Sequence, residues 1–230
     1  MKKYVCLCAA ALLYVSCSNM SAPKYPNMVA NIDPFSLGSI NASLNQILSS
    51  KLKETAVEVI FYPRENEVVL EFQDGLTYHR QFWNEPGREL FIKAVSRYKE
   101  DFANQKLLTT FNKSRAAYGK VKGRVEWKPL KFSATYRASP FIEVGYRFVD
   151  NTPYFSTHQL KAKEESDANG RGNITESQQF VMYFSRAQCE ELARLFDQAF
   201  LLESLPDTIP KEASGTSDRD DYYRQPPESL

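Results

Sequence analysis

Residues 57–83, VEVIFYPRENEVVLEFQDGLTYHRQFW, decide the fold class. Val57, Val59 and Phe61 alternate with Glu58 and Ile60, and Val68, Leu70 and Phe72 alternate with Glu67, Val69 and Glu71. Successive strand residues point to opposite faces, so apolar residues in phase at a period of two predict half-buried strands. Leu76, Tyr78, Arg80 and Phe82 form a third set. Asp74-Gly75 is a two-residue hairpin signal, because both central positions of such a turn need positive φ. Three strands joined by tight turns predict an antiparallel meander.

The pattern recurs downstream. Residues 121–128, 130–138, 141–149, 154–163 and 178–184 read as five strands, with turns at Pro129, Ser139-Pro140 and Asp150-Asn151 and a long loop over 164–176. A helix follows each meander. Asn84 caps one with an inner face of Phe91, Ala94, Val95, Tyr98 and Phe102. Ser185 and Gln188 form a capping box ahead of Cys189, Leu192, Phe196 and Ala199. Leu37, Ile40, Leu44, Ile47 and Leu48, after Ser36 as N-cap, predict a further helix near the start. The expected class is α+β: an antiparallel β-meander sheet with two or three helices packed on one face. Meander and helix alternate in the form of two ββ(β)α-type repeats, although identity between the halves is too low to establish a duplication.

The chain has 230 residues, 43% hydrophobic and 25% charged, the profile of a globular protein rather than a disordered one. Its start is distinctive. Met1-Lys2-Lys3 is followed by an uncharged apolar stretch from Tyr4 to Val15, too short to span a bilayer and matching a secretory leader. The stretch ends Leu13-Tyr14-Val15-Ser16-Cys17, which resembles the lipobox of bacterial lipoproteins. Val15 and Ser16 fit that pattern; Tyr14 stands where Leu is usual. The resemblance implies cleavage before Cys17, acylation of its thiol, and residence in the cell envelope on a membrane anchor. It implies nothing about activity. Without Lys2 and Lys3 the balance is 27 basic to 28 acidic side chains, which argues against wholesale nucleic-acid binding.

The expected organisation is a signal peptide over 1–16, lipidated Cys17 with a tether over 17–34, one α+β domain over 35–205, and a disordered C-terminal tail over 206–230. The tether holds Pro23, Pro26 and Pro34, and the tail has too little aliphatic content to offset its ordering entropy. Once the leader has gone, Cys189 is the sole thiol apart from acylated Cys17, so no intramolecular disulfide is expected. Its place on the inner helix face makes it a core residue rather than a nucleophile.

One segment has the chemistry of a binding face. Lys120, Lys122, Arg124 and Lys128 share one face of a strand whose other face carries Val121, Val125 and Trp127. A row of like charges repels itself unless an anion neutralises it. On a lipid-anchored body such a row would meet anionic headgroups, a glycan or an envelope protein. A solvated, edge-protecting strand face explains the row equally well.

Other candidates carry less. Asp167-Ala168-Asn169-Gly170-Arg171-Gly172-Asn173-Ile174-Thr175 partly resembles an EF-hand loop, but Arg171 and Gln178 stand where oxygen ligands belong, so a polar hairpin loop is expected. His79, on a face with Thr77, Gln81 and Trp83, and His158, on a face with Tyr154 and Ser156, have no second His or Cys at zinc-ligand spacing. A triad assembled from distant residues would be needed for hydrolysis. Tyr136, Phe141, Tyr146, Phe148, Tyr154 and Phe155 form an aromatic stripe that could line a sheet–helix pocket for a hydrophobic ligand. The expectation is a non-enzymatic binding protein without metal or cofactor, the alternatives being a hydrophobic-ligand carrier and, behind it, a hydrolase.

Overall fold

The computed structural model describes residues 26–45, 52–108, 114–165 and 176–206. In chain order the elements are β1 (Phe35–Asn45), β2 (Lys53–Tyr62), β3 (Glu67–Asp74), β4 (Thr77–Trp83), α1 (Glu85–Ala103), β5 (Gly119–Lys122), β6 (Arg124–Lys128), β7 (Tyr136–Ala138), β8 (Phe141–Val149), β9 (Thr152–Gln159), β10 (Phe180–Phe184), α2 (Arg186–Phe196) and α3 (Gln198–Glu203). The ten strands form one antiparallel sheet in the order β5-β8-β9-β10-β1-β2-β3-β4-β6-β7, giving the expected α+β arrangement.

The registers show how that sheet curls. Gly119 opposes Val144 and Lys122 opposes Phe141; past the break, Val125 opposes Ala138 and Trp127 opposes Tyr136 in the same register. β5 with β6 and β7 with β8 are therefore two staves of one long hairpin, interrupted at Gly123 and at Ser139-Pro140. Gly123 donates its N–H to the Pro140 carbonyl at 2.9 Å across the break. Its β-carbon, were there one, would sit 2.7 Å from Ile142 Cδ1. Since β6 pairs with β4, β8 with β9, and β10 with β1, the ladder returns to its starting strand. The sheet closes as an eight-stave meander barrel, a solution that leaves few strand edges unpaired.

Connections alternate between the two ends of the ring. At one, here the helix end, lie the segment before β1, the β2–β3 turn, the chain into and out of α1, the β8–β9 turn and the start of α2. At the other, the hairpin end, lie the β3–β4 turn and the β6–β7 loop. The inner face carries Val57, Val59, Phe61, Val68, Leu70, Trp83, Val144, Phe155, Met182 and Phe184, all buried. α1 and α2 close the helix end from inside. Phe91 of α1 meets Phe155 at 5.1 Å, Phe184 at 6.3 Å and Phe196 of α2 at 4.9 Å between ring centroids, and Trp83 edge-on at 5.7 Å. Asn84 and Ser185 cap these helices as expected; the Ser185–Gln188 capping box is complete.

Arg88 ties this end together. Its fully buried guanidinium donates to the backbone oxygens of Asn66 (2.6 Å), Trp83 (3.3 Å) and Phe196 (3.2 Å), to Asn66 Oδ1 (3.1 Å) and to Gln198 Oε1. One side chain thus satisfies acceptors from the β2–β3 turn, β4 and the α2–α3 junction. Burial pulls its pKa down to about 10, still charged at neutral pH.

Three local expectations change. The strand expected over 130–138 holds only Tyr136–Ala138, the residues before it forming the turn of the β6–β7 loop. The helix expected over residues 37–48 is strand β1 as far as Asn45. Ile40 and Leu44 are four apart, a spacing that suits both periods. Ala42 between them and the Ser39-Asn41-Ser43 row opposite decide for the strand, because Ser and Asn compete with helical backbone bonds. The β3–β4 turn also sits one residue late. Asp74 pairs with Thr77, so Gly75 and Leu76 are central and only Gly75 has positive φ, at 59°. That register puts His79, Gln81 and Trp83 inward, opposite Phe72, Leu70 and Val68, and leaves Tyr78, Arg80 and Phe82 on the outer face. Asp150 and Asn151, both at positive φ, do form the two-residue turn read from sequence.

Candidate functional site

The basic residues share the outward face of the β5–β6 stave, as the alternation requires, but their surroundings differ. Lys120 and Lys122 are exposed at the helix end, with Lys120 Nζ 5.0 Å above the Phe141 ring. Arg124 is half-buried: it pairs with Glu67 at 2.5 Å and with Glu126 at 3.4 Å, and lies 3.6 Å over the Phe82 ring. Lys128 is half-buried and borders a groove on the outer face. The four cations are therefore two exposed ones near the helix end, one paired with Glu67 and Glu126, and one at the groove farther along.

That groove holds about 820 Å³ and runs across the outside of β1, β2, β3, β4 and β6, with Lys131 and Thr135 of the β6–β7 loop at its margin. Its floor is a cross-strand row: Ser39 opposes Glu58, Glu58 opposes Glu71, Glu71 opposes Arg80, and Arg80 opposes Glu126. Arg80 holds Glu71 at 2.6 Å and Glu126 at 3.1 Å and also donates to the Tyr62 hydroxyl. Glu126 receives Arg124 and Arg137 as well. Glu71 is less well served. Its carboxyl is pushed above the ordinary range, first by burial, then by the charges of Glu58 and Glu126. Two carboxylates directly opposed in a ladder repel each other, a repulsion that the nearby Lys128 offsets only in part.

Beside the groove lies a smaller hollow of about 470 Å³, lined by Gln73, Leu76, Tyr78, Leu130, Lys131, Phe132 and Ser133. It joins the tips of the β3–β4 and β6–β7 hairpins. Phe132 is 96% exposed, Leu76 70% and Leu130 54%. Gln73, Tyr78 and Lys131 line both hollows, which are continuous. Sequence reading missed this site. Leu76 and Phe132 read as strand residues from the alternation; the register puts both in turns, where polar residues are the rule.

The two histidines lie on opposite faces. His79 points inward, stacked on Phe72 at 5.0 Å and edge-on to Phe180 at 5.6 Å, and burial pulls its pKa down to about 4. Near it the barrel interior turns polar: Gln81 donates to Gln159 Oε1 at 3.0 Å, and Trp83 Nε1 to Gln81 Oε1 at 3.0 Å. His158 lies on the outer face beneath the 114–119 segment, which crosses so close that a β-carbon on Gly145 would lie 2.0 Å from the Ser114 carbonyl oxygen. His158 Nδ1 meets Glu143 at 3.1 Å, Nε2 meets Gln179 at 2.7 Å, and Arg115 holds Glu143 at 3.2 Å. Burial and then Arg147 lower its pKa, working against the Glu143 carboxylate. Ser156, two residues away on the same face, is fully buried. Both ring nitrogens are engaged and the serine is enclosed, so the pair offers no open approach to a substrate.

Of the aromatic stripe, Tyr146 and Phe155 turn inward and are buried, Phe148 packs beside them, Tyr136 stacks on Trp127 at 5.6 Å, and Phe141 is 45% exposed. Between sheet and helices the rings of Phe91, Phe155, Phe184 and Phe196 pack against one another. Cys189 is buried in the core, and burial pushes its thiol up to about 12, as befits a packing residue. Cys17 and the Asp167–Thr175 loop lie outside the described residues. Among the described residues no cluster of three or more His, Cys, Asp or Glu side chains is arranged to hold a metal ion.

Over residues 34–203 the chain matches a family described as "Uncharacterised Treponema protein". The chain belongs to that family. The match spans β1 through α3, the whole barrel and its helical closure. No curated protein and no solved structure matches it. The family's description names no activity, so function rests on the geometry.

Proposed function

We propose that this Treponema family member is a non-enzymatic, lipid-anchored protein of the bacterial cell envelope, acylated at Cys17, whose body rests its helix end against an anionic surface. One observation carries the reading: Lys120 and Lys122, the exposed members of the basic stave, lie at the end where the N-terminal segment joins the barrel. That segment is pinned there, with Val29 donating to the Pro63 carbonyl at 2.8 Å and Arg64 pairing with Asp33 at 2.9 Å.

From Cys17 to that pinned point the chain has roughly 11 residues, which reach at most about 40 Å when extended. An acyl anchor on so short a leash keeps the helix end near the headgroups. Each lysine there contributes about 1 kcal/mol toward an anionic bilayer. About 2 kcal/mol would not hold a free protein. It suffices to orient one already confined to the surface, where the effective concentration is high.

Feeding cells an alkynyl fatty acid should label the protein at Cys17 and leave a Cys17→Ala chain unlabelled; labelling of both would remove the anchor. For the surface, the acylated chain anchored in phosphatidylglycerol vesicles should hold its helix end against the headgroups, read as quenching of a fluorophore on the β8–β9 turn by labelled lipid and relieved by salt, and Lys120→Glu/Lys122→Glu should abolish that quenching. Quenching that survives the double charge reversal would contradict the orientation.

A further inference from the structure

The hairpin end, opposite the proposed anchor, offers a different kind of surface. The apolar hollow and the charged groove form one continuous concavity, bordered by three exposed apolar side chains on two adjacent turns and floored by Glu58 and Glu71. We propose that this concavity docks an extended polypeptide segment of a partner protein, with an apolar side chain against Leu76, Leu130 and Phe132 and a basic side chain over Glu58 and Glu71.

Shape and charge both favour that occupant. An apolar hollow of about 470 Å³ accepts one or two large side chains, and the adjoining 820 Å³ groove accepts the chain that carries them. Exposed apolar side chains rimmed by polar groups mark interaction sites rather than ordinary surface. Interface energy concentrates on a few such anchors packed away from water. The groove floor adds selectivity. Glu58 and Glu71 oppose each other directly; Arg80, their neighbour in the row, is shared with Glu126, and Lys128 and Lys131, which also line the groove, stand to one side and leave the exposed Glu58 as the carboxylate farthest from a cation in the row. A cation from the partner would relieve that repulsion, whereas an acidic segment would meet it. A phospholipid surface fits less well: a bilayer is too flat to enter the groove, and of the charged side chains only Lys131 stands beside the apolar tips while the carboxylates lie within the groove.

This site is independent of the acylation and of Lys120 and Lys122. The test uses the full chain carrying Cys17→Ala and measures fluorescence anisotropy with a fluorescein-labelled octapeptide in which leucine and lysine occupy alternate odd positions with serine between them, so that both face the concavity when the chain is extended. A leucine–glutamate octapeptide and phosphatidylglycerol vesicles serve as the other probes. The lysine peptide should bind saturably and the glutamate peptide at least about tenfold more weakly, a difference of about 1.4 kcal/mol. Phe132→Ser and Glu58→Gln/Glu71→Gln should each weaken the lysine peptide by about tenfold or more, while Lys120→Glu/Lys122→Glu leaves it unchanged. These positions are exposed or outward-facing, and a circular dichroism melt on each variant confirms folding. Failure of the lysine peptide to saturate by about 1 mM, equal binding of the two peptides, or binding indifferent to both sets of substitutions would overturn the proposal. So would vesicle binding that Phe132→Ser abolishes, which would make the tips a membrane-inserting edge.

Discussion

The two ends of the barrel solve opposite problems. At the helix end aromatic rings from four strands and two helices interlock, and every polar group of the buried Arg88 finds an acceptor. At the hairpin end Leu76, Leu130 and Phe132 face water, and carboxylates oppose each other with a shared counter-ion. An end whose contacts are all made internally can stabilise but has little left to recognise with. An end that leaves apolar area and charge unmatched adds little to stability and keeps both for a partner. Substitutions should therefore separate the two.

The largest effect belongs to Arg88. Arg88→Met leaves at least four acceptors buried without donors, and we expect a loss of about 3–5 kcal/mol, read by urea denaturation. A loss under about 1 kcal/mol would show that the helix end is held by ring packing alone. Next comes His79, inside the barrel. Its folded pKa of about 4 lies below the unfolded value near 6.5, so between those values the unfolded chain takes up a proton that the folded one refuses. The histidine thus costs stability progressively as pH falls through that window, reaching about 3 kcal/mol near pH 4. His79→Gln should flatten that part of the stability–pH curve and change little above pH 7.5. An unchanged slope from pH 6.5 to 4.5 would mean that carboxylates alone set the acid sensitivity. The smallest effect is expected at the hairpin end: Phe132→Ser should shift stability by less than about 0.5 kcal/mol. A larger shift would mean that Phe132 packs in the isolated protein, and the contrast between the ends would weaken.

Much of the fold was legible because strand alternation is local. The phase of Val57 to Phe61 and Val68 to Phe72 settled two inner faces, and the Ser185–Gln188 pair placed α2 to the residue. Ile40 and Leu44 misled because a spacing of four fits both helix and strand. Closure of the ring was not legible. Ser43 to Asn45 meet Val181 to Tyr183 from the far end of the sequence, and Ser139-Pro140 looks like a turn between strands although it only kinks one hairpin, whose other stave runs on past Gly123 as the strand read over 121–128. The shared face of Lys120, Lys122, Arg124 and Lys128 could be read from alternation. That Glu67 would occupy Arg124 could not, since their meeting depends on β3, β4 and β6 lying side by side. The concavity at the hairpin end was the least visible, being assembled from two turns that only the three-dimensional register brings together.

The ladder between β10 and β1 joins the two ends of the domain's sequence. Until residues near 183 are available, the first strand has only one neighbour and the ring stays open as a strip with two sticky margins. The barrel therefore has a long average sequence separation between partners, with a heavy entropic toll on closing the loop before the reward arrives. A chain shortened by a few residues at β10 would lose far more than five residues' worth of pairing: it would forfeit the circular topology itself and expose two edges to other chains.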